Sequence, residues 1–141
     1  MPAEPKAGPR PAARRRAVEL LYEADLLGHD LAVVLARHRD SPPPGAEPLD
    51  PYTVALVDGV DRRRAELDQR IGAAARDWTV ERMPLIDRNV LRLGAYELLD
   101  QPDVPTAVVL NEAVELVKLL STDDSGRFVN GVLATVAREV R

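Results

Sequence analysis

The 141 residues bound the chain to about one ordinary domain, and 45% hydrophobic with 30% charged residues is the balance of a globular chain rather than of a disordered or membrane-inserted one. No apolar run reaches the ~18 residues of a spanning helix, the N-terminus lacks a signal peptide's apolar core, and cysteine is absent; this predicts a cytoplasmic protein without disulfides, thiolate metal sites or a cysteine nucleophile. Net charge is −4, but residues 1–16 set Lys6, Arg10, Arg14, Arg15 and Arg16 against Glu4 alone, an excess of about +4 that leaves about −8 for the rest. A basic arm on an acidic body is a sign of a segment that meets polyanions. With 17 Arg to 2 Lys, an inert tail shaped by a GC-rich genome fits equally well, and charge alone leaves both open.

Taken in chain order, residues 1–11 hold four prolines and a glycine without apolar periodicity, which predicts a flexible arm. Helical order is expected from about Ala12, where Val18, Leu20, Leu21, Leu26 and Leu27 form an apolar band closed by Gly28. Asp30 can cap a short second helix carrying Leu31, Val34 and Leu35. The proline-rich stretch from Asp40 to Asp50 reads as an exposed loop. Asp50-Pro51 is a cap followed by a proline at the first helical position, and Tyr52, Leu56, Val60, Leu67 and Ile71 continue a stripe to about Ala75, bent or broken near Gly59. Trp78 and Met83 bridge to a start at Pro84, and Leu85 to Leu99 is apolar enough for burial on most sides. Pro105 opens another helix, with Val108, Val109, Ala113, Leu116, Val117 and Leu120 inward. Ser121 to Ser125 form a capping cluster before a last helix with Val129, Val132, Leu133 and Val136. Nothing alternates with period two. The expectation is an all-α fold of about seven helices in two small packed bundles, residues 12–76 and 77–141.

Groups suited to catalysis are scarce. His29 and His38 lack metal-ligand spacing, no phosphate loop or dinucleotide fingerprint occurs, and Asp123-Asp124 read more simply as helix-start carboxylates than as a catalytic pair. Neither an enzyme nor a metal or other cofactor is expected. Contact groups remain. Arg14-Arg15-Arg16 at a helix start could grip phosphates in bidentate fashion, with Arg127 and Arg88 adding charge elsewhere. Phe128, at the edge of the last helix's stripe, reads by periodicity as core, with stacking on an unpaired base as the alternative. Tyr22 shares a face with Arg15 and reads as core, partner contact or RNA contact, while Arg62-Arg63-Arg64 reads as a solvated face.

The stretch Ile86-Asp87-Arg88-Asn89-Val90-Leu91-Arg92-Leu93-Gly94-Ala95-Tyr96-Glu97-Leu98, then Asp103-Val104-Pro105, then Asn111 to Lys118, then Asp124-Ser125-Gly126-Arg127-Phe128-Val129-Asn130-Gly131, resembles the NusB antitermination family in order and spacing. Ala13 to Val18 leading into Leu21-Tyr22-Glu23 extends the resemblance to the first helix. It implies an all-helical fold that binds boxA RNA of ribosomal leaders together with NusE, the small-subunit ribosomal protein, in the elongation complex of RNA polymerase. Under it, Arg10 and Arg14 match the RNA-binding arm, with Arg15 and Arg16 beside them as extra cations lacking fixed counterparts. Asp124 and Phe128, flanked by Arg127, match RNA contacts, and Tyr22 and Asp87 match the NusE face. Gly126 stands where a polar residue is more usual.

The mechanism this suggests is recognition of a single strand: arm arginines on phosphates, Phe128 stacking, Asp124 accepting from base N–H groups. Homodimers occur in the family and are compatible with this chain. A protein adaptor without its own RNA specificity is the rival from another class. NusB-like domains also precede ribosomal RNA cytosine methyltransferase domains, so a third reading is a stand-alone domain assisting a separate RNA-modifying enzyme.

Overall fold

The computed structural model describes residues 9–141, and it describes Pro9 by its backbone alone. Among these residues there are six α-helices, one 3-10 turn and no strand: α1 (Pro9–Leu27), α2 (Leu31–Asp40), α3 (Pro51–Ala75), the 3-10 turn Val80–Arg82, α4 (Leu85–Asp100), α5 (Thr106–Leu120) and α6 (Asp123–Val140). The expected arm falls largely outside: residues 1–8, Lys6 included, lie beyond the described ones. Where it is described, the arm is helix. α1 begins at Pro9 rather than Ala12, because the first-turn N–H groups of a helix have no intrahelical acceptor and prolines at positions 9 and 11 therefore remove no bond.

Helix starts follow the local chemistry. Asp50 accepts from the Tyr52 N–H at 2.7 Å with Pro51 at the first position, and Thr122 accepts from the Ser125 N–H at 3.2 Å. Asp123 and Asp124 occupy the first turn of α6, at the positive end of its dipole. The bend in α3 falls at Arg63 (φ −109°, ψ 17°), four residues beyond the expected Gly59. Gly59 is instead buried where α3 meets the Tyr96 ring of α4, so its missing side chain serves close packing and not a break.

α4 is the central helix. Eleven of its sixteen residues are buried, and it packs against α1, α3, α5 and α6. One hydrophobic cluster runs from Ala17 to Ala137 through every α-helix, so the groups α1–α3 and α5–α6 share α4 and a common core. Asp87, Asn89, Arg92 and Glu97 are buried along α4 itself, and buried polar groups must find partners. Those partners define the site.

Candidate functional site

Near the C-terminal end of α4, the Arg14 Nε donates to both Glu97 carboxylate oxygens at 3.0 Å, and the Tyr52 hydroxyl donates to the same carboxylate. Burial first, and then the hydrogen bond to Glu97, push the Tyr52 phenol well above its ordinary pKa. Arg14 is only 3% exposed and lies 3.6 Å from Glu112. Its Nε is held inward in an ion pair that seats α1, while the resemblance places Arg14 in an RNA-binding arm; the side chain also lines an open cavity with Arg10, Asp103 and Glu112. The cause of the inward setting is helical phase, since Ala13, Arg14, Ala17 and Val18 share the buried side. Arg10, one turn earlier, lies over the Tyr52 ring at 4.3 Å and is 3.7 Å from Asp103. Arg15 points outward, half-exposed beside Glu19 at 3.6 Å, and Arg16 meets His38 Nδ1 at 3.0 Å.

At the opposite end of α4, α1 supplies Asp25. Its carboxylate accepts from Arg88 at 2.6 and 2.7 Å, from Asn89 at 2.9 Å and from Arg92 at 3.3 Å, and Arg92 also donates to Asp68 at 2.8 and 3.0 Å. Burial would raise the Asp25 carboxyl; hydrogen bonds from Arg88 and Asn89, with the two guanidinium charges, outweigh it and hold the group down at about 2. Arg88 is thereby engaged and is not a loose charge for a ligand. Tyr22, half-buried, sits one helical turn before Asp25 and so belongs to this end, with Asp87.

Asp87 is not a surface residue: at 3% exposure its Oδ2 accepts from Ser125 Oγ at 2.8 Å, tying α4 to the start of α6. Among the described residues its Oδ1 is the buried side-chain oxygen without a hydrogen-bond partner. Asp87 thus sits behind the outer face to which the resemblance assigned it, and lines an open cavity of about 210 Å³ together with Trp78, Met83, Thr122, Asp124 and Phe128. Asp124 and Arg127 are paired at 3.0 Å but almost fully exposed (90% and 87%), so water competes for both and the pair contributes at most ~1 kcal/mol. Phe128 is half-buried, packed on the core along one edge and meeting Trp78 edge-to-face at 6.4 Å between centroids. Core residue and surface residue are both correct descriptions of it. Behind the first turn of α6, Asn111, Lys118, Arg127 and Asn130 line a shallow groove with Gly126 in its wall.

The structure therefore gathers Asp124, Arg127, Phe128, Asp87 and, nearby, Tyr22 at one end of α4, and puts Arg10 and Arg14 at the other. Ten residues of helix between Asp87 and Glu97 separate the two ends by about 15 Å at ~1.5 Å per residue. Trp78 escaped the reading of the sequence as a site residue because it falls between helices, where no periodicity assigns it a face. The usable signal was that it is the sole tryptophan, next to a turn.

Residues 11–138 match the family model described as the NusB family. The chain is 54% identical over 131 residues to the transcription antitermination protein NusB of Saccharopolyspora erythraea, covering 92% of this chain and 87% of that protein. It is 45% identical over 129 residues to the Thermobifida fusca protein of the same name, covering 92% and 89%. Among solved structures, T. maritima NusB superposes with a TM-score of 0.80 at 30% identity, covering 92% and 91% of the two chains. A chain from the crystal structure of the antitermination factors NusB and NusE in complex with dsRNA superposes at 0.82 with 28% identity, covering 95% and 99%. With a family-model match over residues 11–138 and 54% identity to a NusB protein over 92% of its length, this chain belongs to the NusB family.

Proposed function

We propose that the protein is an RNA-binding transcription antitermination factor that takes boxA-type single-stranded RNA of ribosomal RNA transcripts, together with NusE, into the elongation complex of RNA polymerase, and performs no catalysis itself. The observation that carries this reading is half-buried Phe128 and exposed Asp124 lining an open cavity at the start of α6, with exposed Arg127 paired to Asp124 outside it, in a chain of the NusB family. An aromatic ring and a carboxylate acceptor in one cavity, with a guanidinium beside it, suit an unpaired base and its phosphate, because splayed bases stack and expose pairing edges that a duplex hides. On the arm side the surface cations are Arg15 and, in part, Arg10 and Arg16, with Arg14 holding the helix that displays them. An acidic body complements a basic ribosomal protein, and Tyr22 provides an aromatic contact for it.

The test is binding of boxA RNA, a scrambled strand and a boxA duplex, each with and without NusE, at two salt concentrations. The expected result is tighter binding of the single boxA strand, strengthened by NusE and weakened by salt as counterions are released. Equal affinity for all three RNAs under every condition would sink the specific-recognition reading and favour an adaptor. Preference for the duplex would replace base stacking with recognition of helix shape.

A further inference from the structure

We infer that Trp78, braced by Phe128, is the principal stacking face of a one-nucleobase site, and that the base it receives turns an amino-bearing edge toward Asp87. The inference rests on the RNA-binding reading and deepens it. Trp78 is the large aromatic left open: it is 49% exposed, whereas Phe128 is half-buried, and the two rings meet edge-to-face at an interplanar angle of 65°. At 6.4 Å between centroids and this angle the two rings already touch edge-to-face, so a base cannot slide between them. It stacks on the free indole face, and Phe128 acts by holding that face in place.

The backbone turns sharply just before Trp78. Arg76, the cap that follows α3, has φ +57° and ψ −68°, and the Asp77 N–H donates to the Ala75 carbonyl at 2.6 Å. This is the rare γ-turn of positive φ, a conformation that costs a non-glycine residue on the order of 1–3 kcal/mol. It reverses the chain two residues before Trp78.

The cavity's chemistry selects what enters. Its wall holds two carboxylates, Asp87 and Asp124, with one buried Asp87 oxygen unpartnered. Two negative groups repel a phosphate and attract N–H donors, so the base and not the backbone faces inward, while Arg127 stands outside for the phosphate. Amino groups of cytosine, adenine or guanine satisfy a carboxylate oxygen. Uracil presents a single N–H flanked by carbonyls, which a carboxylate opposes.

Because the chain has one tryptophan, its fluorescence reports this site alone. Single-stranded boxA RNA is titrated against the intact protein, following indole emission and, independently, the anisotropy of end-labelled RNA; NusE alone is titrated in parallel. Quenching that saturates with the anisotropy change is expected, as is an affinity loss of about 5- to 150-fold in Trp78→Ala, with Trp78→Phe retaining most of the affinity and both variants keeping the far-UV dichroism of the parent. Cytosine homopolymer should quench more strongly than uracil homopolymer. No anisotropy change with any RNA overturns the RNA-binding reading and this inference with it. Binding with unquenched emission, or quenching by NusE and not by RNA, overturns the stacking role of Trp78 alone, and the quenching measurement decides this even if Trp78→Ala fails to fold. Equal quenching by the two homopolymers overturns the assignment of Asp87.

Discussion

Charged side chains buried along α4 anchor the neighbouring helices, and Asp25 shows how. Its side chain is 9% exposed and is shared by Arg88, Arg92 and Asn89, so replacing it leaves Arg88 without its carboxylate and Arg92 with Asp68 alone. Asp25→Asn is expected to lower unfolding free energy in urea at neutral pH by about 3 kcal/mol, the cost typical of breaking a buried pair from one side. The same residue sets a pH dependence. Its folded-state carboxyl titrates near 2, below the ordinary value of 3.8, so as acid is added the unfolded chain takes up the proton first. The stabilisation is full above about pH 4 and is lost as pH falls toward 2, about 2 kcal/mol in all at ~1.36 kcal/mol per unit. Urea unfolding at a series of acidic pH values should show that loss in the parent and a flatter dependence in Asp25→Asn. Parallel curves for the two would show that Asp25 is not the group responsible.

At the scale of elements, the α3–α4 crossing depends on the absence of a side chain at Gly59. A Cβ placed there would fall inside the Tyr96 ring, so Gly59→Ala has to push the helices apart or displace a buried tyrosine. A loss of about 1–3 kcal/mol is expected from overpacking, against alanine's own helical preference of ~1 kcal/mol. Gly72, in the same helix, has nothing within 4 Å of the corresponding position, and Gly72→Ala should stabilise by up to ~1 kcal/mol. Melting temperatures that move in the same direction for both variants would refute the close-approach account. Gly59 also marks where reading the sequence stops. Apolar spacing and caps such as Asp50 are local, so α2 through α6 could be read from them. Whether a glycine breaks a helix or admits a neighbour depends on Tyr96, thirty-seven positions away in the chain. The inward setting of Arg14 was illegible for the same reason, since its partner Glu97 lies 83 residues off. Asp124 and Phe128 stood out by their spacing within a family-like block, whereas Trp78 lies outside any periodic segment, and its contact with Phe128 shows only in the packed structure.

For the molecule as a whole, the seating of Arg14 changes how a basic arm can be tested. Deleting residues 1–16 would remove the first two turns of α1, strand the Glu97 carboxylate without its cation and take away the Ala13 carbonyl that accepts from Thr53 at 2.9 Å. A collapse of RNA binding in that truncation would report unfolding and say nothing about contacts. Deletion of residues 1–8 leaves every residue of α1 in place, and it removes one lysine and one glutamate. If the cations that meet RNA are the outward residues of α1 and α6, this shorter deletion should keep the urea midpoint of the parent and change RNA affinity by no more than about threefold, less than ~1 kcal/mol. Arg15→Ala with Arg127→Ala should then keep the fold, since both side chains are exposed, while reducing the salt slope by about 1.4 at ~0.7 per phosphate contact on a single strand. Binding isotherms across a salt series distinguish the two placements of charge. An unaltered slope in the double variant, with affinity lost on deleting residues 1–8, would move the electrostatic contact off the helix faces and into the first eight residues.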